Sequence, residues 1–390
     1  MYTEKRLRRQ PAIILFIIAA VILSACSGLI ANANWPGITV QENVVYVAYG
    51  AGVAAFDIAA GTELWNFPTE TEARISYYAA PSVENSRIVI GDYGAPGSFF
   101  SPGVRVTIYA LETGDGGTPT LLWSSDTLAR DRIVAPPLQV NDVVYIGTAD
   151  NFLLAIDATN GAELWRFEAG HSIWAQPVFQ DGTLYVVSLD KKLYALDAET
   201  GAQKWEMSFG GSIINTPAVG SDLLYLGTFD NKLHAVDLAT GEERWSVDTG
   251  GWAWSGPTLA DGVVYEADLE GNLYALDAET GDVLWSKTNT DLGEVQASPV
   301  VVNDAVIFAA ADKVGDVETR QGTLLALNTA DGSELWRERT PARIFATPVV
   351  ADEKLVVVMN GTAGLVFMYD LSTGRPVGSP LTPSALAAQN

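Results

Sequence analysis

Ala155-Ile156-Asp157-Ala158-Thr159-Asn160-Gly161-Ala162-Glu163-Leu164-Trp165 decides the fold, because the chain keeps restating it. It returns as Ala195-Leu196-Asp197…Gly201…Trp205, as Ala235-Val236-Asp237…Gly241…Trp245 and as Ala275-Leu276-Asp277…Gly281…Trp285. Each of these tryptophans follows the last by 40 residues, and self-similarity at that period marks a solenoid, propeller or array. One unit reads directly as strands. Pro177-Val178-Phe179 opens the first, Asp181-Gly182 is a hairpin turn, and Leu184–Val187 alternates as the second. Asp190-Lys191-Lys192 turns into a third strand over Leu193–Leu196, and Thr200-Gly201 turns into a fourth beginning near Trp205. Period-two alternation with Val, Leu and Tyr predicts strands throughout, and no helical apolar pattern follows the N-terminal segment. Four short antiparallel strands per 40 residues make one propeller blade.

Two markers count the blades. Opening prolines stand at 36, 81, 137, 177, 217, 257, 299 and 348, and closing glycines at 61, 114, 161, 201, 241, 281, 332 and 374. Both give eight. Seven units keep the tryptophan (Trp65, Trp123, Trp165, Trp205, Trp245, Trp285, Trp336), while the eighth has Arg375-Pro376-Val377. The fold class expected is therefore all-β, an eight-bladed propeller over residues 36–378, with a flexible tail over 379–390. Whether Asn32–Trp35 adds a closing strand stays open at this level.

The N-terminus reads as an export signal. Lys5, Arg6, Arg8 and Arg9 precede an apolar run from Ala12 to Ala25, short for a membrane span and typical of a signal peptide. Leu23-Ser24-Ala25-Cys26 resembles the bacterial lipobox. That resemblance implies a signal peptide over 1–25, lipidation of Cys26, a linker over 26–35, and an extracytoplasmic protein anchored to a bacterial membrane. The anchor would sit on the periplasmic face of an outer membrane, or on the cell surface where there is none. Cys26 is the one cysteine, which removes disulfides and thiolate metal sites. The net charge of −24 repels nucleic acid over the average surface and argues against it as a partner.

The repeated phrase resembles the tryptophan-docking motif of the pyrroloquinoline-quinone (PQQ) type propeller repeat over nearly the whole chain past residue 36. In that family the tryptophan stacks between blades against the next blade's Ala and Gly, which implies a packing role for the seven listed by number above. The motif aspartates (Asp57, Asp157, Asp197, Asp237, Asp277, Asp370) read as turn formers accepting amide hydrogen bonds. PQQ-dependent alcohol dehydrogenases are similar in ring, but carry a vicinal Cys pair and a calcium held by Glu, Asn and Asp. This chain has no Cys pair and no matching constellation, so PQQ and calcium are disfavoured and no catalytic, cofactor or metal residue is assigned. His171 and His234 are far apart, and His234 takes the place of Tyr194 and Tyr274 in sister units. A hydrolase reading gains nothing from them.

Irregularity concentrates on one rim, where second-to-third-strand turns meet the connections between blades. Unit two is lengthened over Asp92–Gly103, unit seven over Asp312–Gly322, and the approaches to the prolines carry aromatics and arginines. Arg74, Tyr78, Arg130, Arg132, Trp174, Trp252, Trp254, Arg343 and Phe345 form the candidate binding face. The positions three before each proline (Tyr78, Val134, Trp174, Ile214, Trp254, Gln296, Phe345) are expected to line a central funnel. Trp, Tyr and Arg supply most interface hot spots. With its lipobox, the chain is similar to the propeller lipoproteins of the outer-membrane β-barrel assembly machinery. That resemblance implies a non-catalytic, protein-binding scaffold in envelope assembly. The alternatives are a quinoprotein dehydrogenase and a small-ligand sensor.

Overall fold

The computed structural model describes residues 36–69, 75–98, 101–114, 117–288, 291–314, 317–361 and 364–387. The signal segment, Cys26, the linker, Arg74 and the Phe99-Phe100 tip of the unit-two insertion lie outside the described residues. Within them the chain forms eight antiparallel blade sheets in sequence order, one per repeat, and one separate two-stranded hairpin in unit two. Blade four is representative, with strands Val178–Gln180, Thr183–Ser188, Lys192–Asp197 and Gln203–Ser208. Its register pairs Tyr185 with Ala195 and Ala195 with Trp205.

Opposite every motif tryptophan the third-to-fourth-strand ladder slips by one residue, as between Ala155↔Trp165 and Ile156↔Glu163. The same bulge occurs in blades one to seven. A bulge increases local twist and re-aims the side chain beside it. Here it sends the indole onto the next blade. Trp165 Nε1 donates to Ala198 O at 3.1 Å, and the Tyr145 hydroxyl donates to the same carbonyl at 3.0 Å. Trp205 and Tyr185 repeat the pair on Leu238 O. Trp123, Trp245, Trp285 and Trp336 bond Ala158, Ala278, Thr329 and Leu371 in turn. Under the indole lies the next unit's turn glycine. A Cβ on Gly201 would stand 2.6 Å from Trp165 Cε3, and its φ of +72° already favours glycine.

Two sequence markers do not sit where the count placed them. Nothing lies within 4 Å of a Cβ on Gly114, so it is no dock for Trp65; unit two's insertion after Glu112 replaces the short Thr-Gly turn. Trp65 is nevertheless buried, tilted against Tyr46 and packed with Ile88, Ile90 and Leu111 of blade two. Pro36 stands two residues early: Thr39, like Thr258, donates to the carbonyl of the next blade's proline, so Ile38 holds the register of Pro257.

The motif aspartates behave as turn formers. Asp197 accepts the Thr200 amide at 3.0 Å and its hydroxyl at 2.8 Å, and Asp157, Asp237, Asp277 and Asp370 repeat the arrangement. These hydrogen bonds hold the five carboxyls below the ordinary Asp value.

Ring closure departs from expectation. Blade eight has three strands, Val349–Ala351, Lys354–Gly361 and Gly364–Asp370. Its outer edge is covered by the segment expected to be a flexible tail from 379. Val377 N donates to Met368 O, and Leu381 exchanges bonds with Val366. A short helix, Ser384–Ala387, then crosses to blade one, where Ser384 N and Oγ donate to the Glu63 carboxylate at 2.6 and 3.0 Å. Val377, Leu381 and Leu386 pack on one core shared by Ile38, Val45 and Phe56 of blade one and Val356, Val366 and Met368 of blade eight. Through residue 387 the tail joins the last blade to the first.

Candidate binding face and axial cavity

Second-to-third-strand turns and inter-blade connections meet on one rim, tied by backbone bonds: Ala149 N to Arg132 O, Leu189 N to Ser172 O, Phe229 N to Ser212 O and Leu269 N to Trp252 O. The unit-two insertion forms a hairpin of Ala95–Ser98 and Ser101–Arg105. In unit seven the inserted residues lengthen the second and third strands to Ala305–Val314 and Val317–Asn328, and an extra strand, Leu292–Val295, pairs with the extension. The described residues of both interruptions are thus largely β-structure rather than loop.

At the axis the residues three before the prolines do converge. Val134, Trp174, Ile214, Trp254, Gln296 and Phe345 line one cavity of about 260 Å3 with Asn215, Thr216, Gly256 and Ser298. Tyr78, expected in the same ring, instead packs edge-on against Tyr93 at 4.9 Å. Arg132 lies over that Tyr93 ring at 5.3 Å and pairs with Asp131, its guanidinium still exposed. Arg130 is exposed, its amide bonded to Asp150. Arg343 is half-buried, and its Nε donates to Thr319 O at 2.7 Å in the unit-seven hairpin. Trp252 and Trp254 are joined by Phe229, stacked at 5.1 Å and 12° on the first and 5.7 Å and 24° on the second. The eight described candidate residues therefore divide: Trp174, Trp254 and Phe345 at the axis, Arg130, Arg132 and Tyr78 near blades two and three, Trp252 near blade six, and Arg343 against the long hairpin. Phe229 and Tyr93 were missed, although each puts an aromatic into a turn where most units carry none.

The wall between blades five and six is polar behind the axis. Asn215 Nδ2 donates to Gly227 O and Ala253 O, at 3.0 and 3.1 Å. Ser255 donates to Glu266 Oε1 at 2.9 Å, which also accepts the Ala267 amide. Glu266 is wholly buried and its second oxygen lacks a hydrogen-bond partner. Burial, reinforced by the nearby Asp268 charge, raises its carboxyl to about 8.

His234 is a buried strand residue, as its place in the repeat implied, with Nδ1 2.7 Å from Glu243. Clefts on the opposite face, about 350 and 620 Å3, recur at successive seams with equivalent linings (Tyr185, Lys204 and Asp237; Tyr225, Arg244 and Asp277). That recurrence makes them products of the repeat. No grouping of three or more His, Cys, Asp or Glu among the described residues is arranged to hold a metal, and no described helix is long and apolar enough to cross a membrane.

Fold, docking geometry and rim define an eight-bladed propeller of PQQ-like repeats. The PQQ_2 family model, described as outer membrane protein assembly factor BamB, matches residues 53–174, 104–246, 205–316 and 309–381, and the chain belongs to that family. Among solved structures it is similar to BamB from Moraxella catarrhalis, at 21% identity and a TM-score of 0.65 over 83% of this chain and 90% of that one. A computationally designed protein, Ika8, aligns at 17% identity and TM-score 0.66, over 84% and 94% of the two chains. The quinohemoprotein alcohol dehydrogenase ADHIIG from Pseudomonas putida HK5 aligns at 16% and 0.62, over 84% and 70%. At these identities the structures share a fold, and fold does not carry function. No curated protein matches the chain by sequence.

Proposed function

We propose that this chain is a non-catalytic, extracytoplasmic scaffold, anchored through a lipid on Cys26, that binds protein partners in envelope protein assembly through its irregular rim. One observation carries the reading: in a family described as an assembly factor, most departures from a regular repeat fall on one face and bring exposed aromatics and arginines there. The opposite face is occupied by repeated turns. No cofactor belongs to this proposal. PQQ is a tricarboxylate, and the axial cavity has neither a cationic nor a carboxylate side chain in its lining to bind it or its calcium.

The test is crosslinking and affinity capture of the intact lipoprotein from its own membrane, wild type against Arg130→Glu with Arg132→Glu. Arg343 is left intact because it braces the long hairpin. Envelope proteins captured by the wild type and lost from the double variant support the reading. A shift in absorbance and melting temperature on adding PQQ and calcium would favour the quinoprotein alternative instead.

A further inference from the structure

Trp252 is 51% exposed, and it is the one aromatic among the large exposed hydrophobics of the described residues. The others, Leu121, Leu122, Leu164, Val283, Leu284 and Leu335, all belong to fourth strands at the outer edges of blades. Trp252 instead stands on the rim, one ring face laid on Phe229, which is stacked in turn on Trp254. This stack holds the indole flat and leaves it half open to solvent. A rigid aromatic plate exposed at a cost in apolar hydration suits recognition more than packing.

The plate borders a cleft of about 460 Å3 at the rim, lined also by Asn231, Glu270, Glu294 and Lys313 and by the backbone of Gly250, Gly251 and Gly293. Its walls are preset. Buried Asp268 accepts the Gly251 amide at 2.9 Å from one wall, and the Glu270 amide and the Asn272 side chain at 3.0 and 2.9 Å from the other. The Tyr274 hydroxyl donates to the same carboxylate. Blade four builds a related clamp from another register: Ser188 stands where Asp268 does, and Asp190, two residues later, accepts the Gly170 and Lys192 amides and the Tyr194 hydroxyl.

We infer that this cleft receives a lysine or arginine side chain from a bound protein segment; the inference rests on the rim being the protein-binding face proposed above. Two carboxylates, Glu270 and Glu294, face one ammonium, Lys313, leaving the cleft anionic on a chain of net charge −24. An acceptor-rich, anionic cleft suits a group that only donates, and Lys and Arg side chains are donor-only cations. A cation over an indole face gains further from the ring quadrupole, tryptophan being the best such ring. A neutral saccharide stacked on the same plate would donate hydroxyls to the carboxylates but leave their excess negative charge uncompensated. Lys313 is a built-in competitor for those carboxylates, so its removal should strengthen binding.

The experiment titrates tetralysine into the full chain, followed by tryptophan fluorescence and calorimetry at fixed salt. Saturable binding is expected, weakened about fivefold by Trp252→Ala, weakened by Glu270→Gln and tightened by Lys313→Gln. The Lys313 variant guards against misfolding, since a damaged site does not bind better. Equal affinities in wild type, Trp252→Ala and Lys313→Gln overturn the inference. So does a Trp252-dependent response to chitotetraose with none to tetralysine. If the cleft fails either way while the Arg130/Arg132 double variant still loses its captured partners, the scaffold reading stands and this inference alone falls.

Discussion

At Glu266 the repeat carries a carboxyl where its sister units place buried apolar side chains: Val47, Ile90, Ile146, Val186, Leu226, Phe308 and Val357. Nothing compensates for the full cost, because one oxygen has no hydrogen-bond partner. With the folded carboxyl raised to about 8, the folded state keeps a proton that the unfolded state releases near the ordinary Glu value, about 4.3. The contribution of Glu266 to stability is therefore highest below that value, falls as pH rises toward 8 and levels off above it. Urea melts of wild type and Glu266→Gln across pH 5 to 9 check this: the wild type loses midpoint with pH, and the variant removes that part of the slope. Parallel slopes would refute it. Gly201 gives a second test at this scale. Gly201→Ala meets both the indole of Trp165 and a left-handed φ, and is expected to cost about 2 kcal/mol in the same melts.

Each of blades one to seven is bound to the next by a bulged fourth strand and the indole that it aims. Trp205→Ala removes a large ring and a hydrogen bond from one seam, and about 3 kcal/mol of destabilisation is expected by denaturant titration. Trp65→Ala removes a ring that has no glycine dock beneath it, so its loss should come from core packing with blade two alone. The C-terminal element makes a separate prediction. Deleting residues 377–390 strips Val377, Leu381 and Leu386 from the seam between blades one and eight. With burial worth roughly 2 kcal/mol per large aliphatic side chain, the truncated ring should melt well below the wild type, whereas a free tail would leave the midpoint unchanged.

For the whole molecule, the repeat made architecture legible because spacing and turn chemistry recur, so Trp205 or Asp197 could be read from its sisters. The funnel ring was legible for the same reason: Val134, Trp174, Ile214, Trp254, Gln296 and Phe345 hold one register and converge. Features found once had no such support. Pairing of Leu381 with Val366 depends on contacts across the seam that no local pattern encodes, and the Trp252–Phe229–Trp254 stack joins a turn to a connection more than 20 residues away. Arg343 read as a rim charge, yet it bonds the backbone of the unit-seven hairpin because that insertion folds as strands.

If the irregular rim is the surface that binds envelope proteins, the repeated turns of the opposite face should be dispensable for capture. Crosslinking capture from the native membrane compares wild type with two variants: Arg130→Glu/Arg132→Glu on the rim, and Arg244→Glu, exposed on the fourth strand of blade five, as the control. The rim variant, folded and membrane-bound, is expected to lose partners that the wild type and the control keep. Partners held equally by all three would contradict it.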